Sequence, residues 1–398
     1  MRILFVTPYV PSSVRVRPYA LIRELKRLEH RITLVCLVQP AWEEHYLDEV
    51  RPFCQAVHPV AMDRNKALIQ ALAAVLTRTP FSVAYCHSTT LDLVVRQLVE
   101  SGSFDLVHTE FIRAVQATMD LKGLPKVYDA VDSLGLAYRR SLTAPYISTS
   151  QRLVSLFEAL KMPVYEAGAL RYYDRTVVSS PVDQQFMKRK GIPAATVLPN
   201  GVDLDYFTFS KDDRKVDQIV FLGKMSYYVN VASMRWFYKE VLPLVRKEKP
   251  EVQLKIVGRN PPTGILRFMK DNQVEVTGNV PDVRPYLAQA AVAICPMVTG
   301  SGIQNKLLEA MAAGTPCVVS PIAAQALQAR DGEEMLIGEN AQKFADCVLK
   351  LLRDRSLGEK LSYQARQYVE RNHNWQAVGG GLDTIYQGLF TSKEKRDG

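Results

Sequence analysis

The 398 residues include only three tryptophans and six histidines, and the six cysteines (Cys36, Cys54, Cys86, Cys295, Cys317 and Cys347) show neither a CxxC pair nor metal-ligand spacing. That excludes a disulfide-stapled scaffold and a zinc ribbon. Thiols inside apolar runs, as most of these are, behave as small core residues. No run approaches the ~20 apolar residues that cross a bilayer. The opening Met1-Arg2-Ile3-Leu4-Phe5-Val6 is too short for a signal-peptide core and runs straight into Thr7-Pro8, so a cytoplasmic protein is expected. No repeat of 20–50 residues and no low-complexity tract occurs. The absence of GxGxxG after residues 2–6 disfavours a nucleotide-dependent dehydrogenase. Nucleic-acid binding lacks both a motif and a concentrated basic face.

What is present is an ordinary globular composition, 47% hydrophobic and 23% charged, which excludes intrinsic disorder. At roughly 150 residues per domain the length favours two domains. Fifty basic against 41 acidic side chains give a formal +9. Residues 1–200 carry 24 basic and 18 acidic, residues 201–398 carry 26 and 23. Such a bias suits an anionic partner such as phosphate or an acidic membrane surface; a plain solvated surface accounts for it equally.

Short β-branched runs alternate with helical stretches along the whole chain. The strand candidates are 2–6, 31–38, 56–62, 104–110, 126–132, 175–180 and 196–198, then, after the turn signal Leu198-Pro199-Asn200-Gly201, 218–222, 252–257, 274–277, 291–295, 316–320 and 335–337. Segment 16–28 has helical spacing through Leu21, Ile22, Leu25 and Leu28. Strand-helix alternation of this kind predicts α/β architecture with parallel sheets covered on both faces. Two series predict two doubly wound domains, 1–200 and 201–375, with a site in the cleft between them. An amphipathic helix over 376–390 follows Trp375, and the polar residues from Thr391 are expected to fray.

The most informative segment is Gly300-Ser301-Gly302-Ile303-Gln304-Asn305-Lys306, continued by Leu307-Leu308-Glu309 to Gly314. Two glycines allow the backbone to approach a ligand closely. A helix starting near Gln304 would present amides without partners, which makes an anion site. Lys306 in the first turn opposes the helix dipole, a local penalty that an anion would offset. Glu309, three residues on, shares its face. A cation beside phosphates and a carboxylate beside hydroxyls suit a nucleotide diphosphate with its ribose. A glycine-rich turn carrying a surface Lys–Glu pair is the bland alternative.

Segment 282–321 resembles the family-four glycosyltransferases of the GT-B fold, and within them the bacterial sugar transferases of polysaccharide and lipopolysaccharide assembly. The resemblance rests on Asp282-Val283-Arg284-Pro285-Tyr286-Leu287, on Gly302-Ile303-Gln304-Asn305-Lys306 and on Leu308-Glu309-Ala310-Met311-Ala312. Pro11 to Arg17, Leu198-Pro199-Asn200-Gly201-Val202-Asp203 and Phe221-Leu222-Gly223-Lys224-Met225 extend it over nearly the whole chain. It implies two facing Rossmann-like domains and a retaining, metal-independent transfer of a sugar from a nucleotide-diphosphate sugar to a glycan or lipid-linked acceptor. No cofactor is implied beyond that co-substrate. Glu309 would bind the ribose. Lys224 and Lys306 would flank the diphosphate and stabilise the leaving group. Gly223, Gly300, Ser301, Gly302, Ile303 and Asn305 would complete the donor site. Ser13, Arg15, Arg17, Glu110, Asp129 and Asp132 would line the acceptor side, with Asp132 orienting the acceptor hydroxyl.

Three positions depart from the family pattern. Ser301 stands where a second glutamate is common, Asn230 where a second basic residue is usual, and Val131 where many members have histidine. Lys306 would supply the charge missing at Asn230. These departures motivate one rival, a non-catalytic GT-B subunit that binds nucleotide or a partner transferase; a second rival is a nucleotide-sugar epimerase or hydrolase on the same fold. Asp203-Leu204-Asp205 superficially resembles a metal-binding DxD but reads as a turn or cap. His108 reads as a core histidine. Arg139, Arg140, Arg152, Lys161 and Arg171, interleaved with Tyr138, Tyr146, Phe157 and Tyr165, form a candidate membrane-facing surface at the inner leaflet, alternatively a solvated helical face.

Overall fold

The structure, a computed structural model, describes residues 1–39, 43–102, 104–192, 195–210 and 214–394. The chain forms two compact units, one from residues 1–138, 154–200 and 375 onward, the other from residues 139–153 and 201–374.

The first unit contains strands β1 (Arg2–Thr7), β2 (Arg31–Val38), β3 (Ala56–Ala61), β4 (Leu106–Glu110), β5 (Lys126–Asp129), β6 (Arg175–Val178) and β7 (Thr196–Val197). They pair in the order β3-β2-β1-β4-β5-β6-β7, every pair parallel. Ile3, Leu4, Phe5 and Val6 are all fully buried, as expected for a central strand covered by helices on both faces. The order reverses between β1 and β4, the switch point outside whose carboxyl ends ligands of such sheets bind.

The second unit repeats the plan with β8 (Lys215–Leu222), β9 (Gln253–Val257), β10 (Val274–Gly278), β11 (Ala290–Cys295), β12 (Cys317–Val319) and β13 (Leu336–Ile337), in the parallel order β10-β9-β8-β11-β12-β13. Its switch point lies between β8 and β11. All thirteen strands coincide with sequence candidates. The main difference is at β5, which stops at Asp129 rather than 132 because Val131 turns the chain with φ +60°.

The expected boundary at residue 200 is interrupted earlier, since residues 139–153 belong to the second unit. Ser141 Oγ bonds Thr299 Oγ1 (2.9 Å) and Tyr228 OH (3.1 Å), and Ala144 and Ile147 cluster with Ala232. Partners this distant in sequence leave no local signal.

The helix Trp375–Glu394 packs into the first unit's core through Trp375, Val378, Leu382, Tyr386 and Leu389. Residues 391–394 are helical, and the expected fraying of 395–398 lies outside the described residues. It packs tightly on the helix Val16–Arg27 at Gly379, where a Cβ would lie 2.5 Å from Glu24 Cβ. His30 Nε2 meets Asp383 Oδ1 at 2.9 Å and Tyr386 OH meets His108 Nδ1 at 2.7 Å. His108 stacks on Phe5 at 4.2 Å, and burial pushes its pKa down to about 4, so it is a core histidine.

Replacing Gly379 by leucine must separate two packed helices and is expected to destabilise the fold by about 1–3 kcal/mol. In thermal denaturation this appears as a loss of several degrees. An unchanged midpoint would contradict the close approach.

Candidate functional site

The loop leaving β11 carries the glycine pair. Gly300 has φ +114° and Gly302 φ +67°, a region that side-chain-bearing residues rarely enter. A Cβ at Gly300 would meet only Val229 Cγ1, at 3.5 Å, so the demand there is conformational rather than steric. The loop feeds the helix Asn305–Ala312, whose N-cap residue Gln304 makes no side-chain cap. The positive end of that helix therefore lies directly behind the glycine loop. Gly314, at φ +78°, terminates the segment.

Lys306 and Glu309 are both half-buried on this helix. Lys306 Nζ donates to Asn230 Oδ1, lies 3.6 Å from Met297 Sδ and sits 4.7 Å from the centre of the Phe221 ring. Burial lowers its pKa. Asn230 Nδ2 in turn donates to the Lys224 carbonyl at 2.9 Å, so one amide ties the loop after β8 to the helix after β11. Asn230, read in the sequence as a missing cation, is the partner of the cation that is present. Lys224 is exposed at the tip of that loop. Gly223 N donates to Val257 O at 3.0 Å, and a Cβ at Gly223 would lie 2.8 Å from Asn230 Nδ2. Ile303 is buried, while Ser301 and Asn305 are half-buried. Glu309 meets no hydrogen-bond donor among the described residues. Burial pushes its carboxyl up to about 7, with the Lys306 charge pulling the other way.

Arg140, assigned in the sequence to a membrane-facing group, donates from Nη1 to Gly300 O at 2.8 Å. Of its supposed companions, Arg152 bonds the carbonyls of Leu142 and Ala144, and Lys161 bonds that of Ala74. These three cations brace backbone instead of forming an open basic face. Asp203 Oδ1 accepts from Tyr206 N at 3.0 Å, so the DxD-like sequence is a turn.

In the first unit the acceptor-side candidates gather at the carboxyl ends of β1, β4 and β5. Arg17 is 3% exposed; its Nε donates to Asp129 Oδ2 at 2.9 Å, and its Nη1 donates to Leu198 O, Pro199 O and Asn200 Oδ1. Arg17 and Asp129 thus form a buried pair that pins the chain at 198–200, where the sequence suggested an open cationic loop. Arg15 is ion-paired with the buried Glu43 and lies 4.3 Å over the Tyr9 ring. Ser13 is exposed, its amide bonded to Glu49 Oε2 at 2.8 Å. Glu110 is fully buried and accepts from Tyr9 OH at 3.0 Å; burial, then the Asp129 charge, push its pKa well above the usual carboxylate range. Asp132 accepts from Ser179 Oγ at 2.9 Å, and burial together with neighbouring Asp183 raises its pKa. Asp183 was not anticipated; from the first turn of the helix Pro181–Arg189 its Oδ1 accepts from Ser133 N at 3.0 Å, fifty residues away in sequence. Phe111 (φ +69°) and Val131 (φ +60°), which follow adjacent strands β4 and β5, are both left-handed. Such strain is characteristic of functional loops.

Truncating Arg140 to alanine removes the side-chain bond to Gly300. Amides of residues 299–304 are expected to exchange with solvent at least several-fold faster, while the thermal midpoint shifts by no more than a few degrees. Unchanged exchange would show that the loop is held without Arg140.

Comparison with known proteins came to the same region of fold space. The model described as "Glycosyl transferase 4-like domain" matches residues 13–201, and "Glycosyl transferases group 1" matches residues 216–354. A phosphatidyl-myo-inositol mannosyltransferase of Mycobacterium leprae is 26% identical over 99% of both chains. An uncharacterized 44.6 kDa protein in the cps region of Klebsiella pneumoniae is 23% identical over 71% of this chain and 74% of its own. Among solved structures, sucrose-phosphate synthase of Thermosynechococcus elongatus superposes with TM-score 0.70 at 17% identity, covering 98% of this chain and all of that one. HepE of Anabaena, in complex with UDP, gives 0.68 at 14%, also over 98% of this chain and all of that one. Two family models in tandem, laid over two Rossmann-like units with a glycine-lysine-glutamate helix start in the second, make the chain a member of the family-four glycosyltransferases of GT-B fold.

Proposed function

We propose that this glycosyltransferase is retaining and metal-independent, and moves a sugar from a nucleotide-diphosphate sugar to a glycan or lipid-linked glycan during cell-surface polysaccharide synthesis, working at the cytoplasmic face of the membrane. The observation that carries the donor assignment is the pairing of Lys306 and Glu309 behind the left-handed Gly300–Gly302 loop. Helix amides and Lys306 neutralise the diphosphate, and Lys224 approaches it from the loop after β8. As the anomeric bond breaks, negative charge grows on the departing phosphate, and fixed cations lower the barrier because they need no reorganisation. Ionised Glu309 accepts hydrogen bonds from the ribose hydroxyls. In a retaining reaction the departing phosphate itself can take the proton of the acceptor hydroxyl. Asp132 orients that hydroxyl, while Arg17, Asp129 and Glu110 fix the shape of the acceptor side.

Likeness supports the partners. The Mycobacterium leprae relative is named for mannosyl transfer to phosphatidyl-myo-inositol, a lipid acceptor, and HepE has been solved with UDP and with UDP-glucose. Positive charge at the diphosphate is supplied here by lysines, and the Asp203 turn has its own hydrogen bond, which supports a metal-independent reading.

Lys306→Ala is expected to reduce transfer about 10²–10³-fold. Glu309→Ala should also lose most activity without loss of thermal stability, because burial already penalises that carboxylate. Wild-type turnover in both variants would misplace the donor site. Donor binding without turnover over lipid-linked and glycan acceptors would favour the non-catalytic subunit, and isomerised donor or free sugar without acceptor would favour the epimerase or hydrolase.

A pH dependence follows from Glu309. Its folded-state pKa of about 7 lies above the unfolded value of 4.5, so the native chain holds more protons and stability falls as pH rises through this window. Nucleotide-sugar affinity moves the opposite way. Ionised Glu309 increases from about a tenth to about nine-tenths between pH 6 and 8, so affinity should rise by up to about tenfold in calorimetric titration. Glu309→Gln should abolish that slope and be more stable than the parent at pH 8. An unchanged slope would remove Glu309 from the ribose.

A further inference from the structure

The segment 139–153, which belongs to the second unit, forms one wall of a groove of about 300 Å³ that no role described above uses. The other walls come from the loop after β8, the helix Tyr228–Trp236 and the turn at Pro262, so every lining residue lies in the second unit. The groove includes Met225 and Ser226, directly after Lys224 in sequence. Met225 is buried, and Val231 and Pro262 are half-buried, which makes much of the lining apolar. Tyr146 and Tyr228 add two aromatic rings. The wall is firmly built: Tyr228 OH and Ser141 Oγ are 3.1 Å apart, and Arg152 bonds the carbonyls of Leu142 and Ala144. Tyr146 is held there with φ +60°, a strained conformation of the kind that persists at functional sites.

Three polar side chains in this lining are left over. Those of Arg235, Gln151 and Ser226 make no hydrogen bond or ion pair among the described residues, although Arg235 and Gln151 are half-buried. The Arg235 guanidinium lies over the bare backbone of Gly264, where a Cβ would come within 2.6 Å of Nη2. A glycine, in place of a hydrogen-bonding partner, sets its position. An apolar lining with a few convergent polar groups is the composition of a small-ligand site.

The charge pattern narrows the ligand. Residues 139–153, 223–239 and 258–270 each contain three basic side chains and no aspartate or glutamate. The acids that follow the second and third stretches are engaged, Glu240 with Tyr146 OH and Asp271 with Arg246. Lys239 sits 5.3 Å over the Tyr146 ring. Among the described residues that line the groove, Arg235 carries the one charge. A single planar guanidinium matches one carboxylate through two parallel hydrogen bonds. Tyrosine rings and apolar side chains suit the C–H faces of a sugar, while an amide and a hydroxyl suit its hydroxyl groups.

We propose that this groove binds a uronic acid residue of a glycan, a non-reacting sugar that tethers the chain to the second unit. The inference rests on the glycosyltransferase reading for the ligand being a glycan, and on neither Lys306 nor Glu309.

The test is a calorimetric titration of the full chain, without nucleotide-sugar, with trigalacturonate and with its fully methyl-esterified form, which has the same rings without the charge. The wild type is expected to bind the acid at least about tenfold more tightly than the ester, and saturating UDP should not displace it. Arg235→Met keeps much of the side chain's bulk and should lower affinity for the acid to the level of the ester. Gln151→Ala should weaken both probes about threefold. Both variants should keep the parent's thermal midpoint to within a few degrees. Lys306→Ala, which tests the donor site through transfer, should bind trigalacturonate as the parent does, so the two readings fail separately. The proposal is overturned if trigalacturonate does not bind saturably, if the ester binds equally well, if UDP displaces the acid, or if neither Arg235→Met nor Gln151→Ala differs from the parent. Displacement by equimolar inorganic phosphate also overturns it, because the groove would then read an anion and not a sugar.

Discussion

Lys306 is a half-buried cation that sits against an aromatic ring and a thioether and meets a neutral amide instead of a carboxylate. The chemistry of the second unit depends on that arrangement. A cation paired with an acid would be neutral towards phosphate, whereas one paired with Asn230 keeps its charge and is merely positioned. Asn230 is itself fixed through the Lys224 carbonyl, so the loop after β8 and the helix after β11 cannot move independently. The unoffset burial energy leaves the site electrostatically incomplete, and it shows as a depressed Lys306 and a raised Glu309. Perturbation of this kind at the switch point of a parallel sheet supports the donor site proposed there.

The same economy governs the first unit in reverse. There Arg17 finds Asp129 and Arg15 finds Glu43, so cations offered by the sequence as ligand contacts are structural. Beside them lie the buried Tyr9–Glu110 hydrogen bond, the half-buried Asp132 with its raised pKa, and two strained turns at Phe111 and Val131.

The strands were legible because parallel strands buried on both faces are written as unbroken apolar runs, of which Ile3–Val6 is the clearest. The glycine-lysine-glutamate motif was legible because conformation, charge and spacing coincide in ten residues. Arg140 was not, since its partner Gly300 lies 160 positions away and nothing near it in sequence anticipates that bond. Asn230 was noticed as an absence, but one amide serving two loops can be recognised only once β8 and β11 are adjacent. Arg17 was misread because the Ser-Ser-Val-Arg-Val-Arg stretch looks like an open loop. The helix beginning at Val16 instead turns that guanidinium inward toward Asp129.

The most direct measurement of the donor-site account is a thermal-shift series of purified protein with UDP, GDP, ADP and dTDP and their sugar conjugates, each with and without EDTA. A ligand at a hundredfold its dissociation constant stabilises the native state by about 2.7 kcal/mol, a shift of a few degrees for a protein of this size. The account predicts a clear response to one base that survives EDTA. A flat series, or a response that EDTA abolishes, would contradict a lysine-built diphosphate site in the second unit.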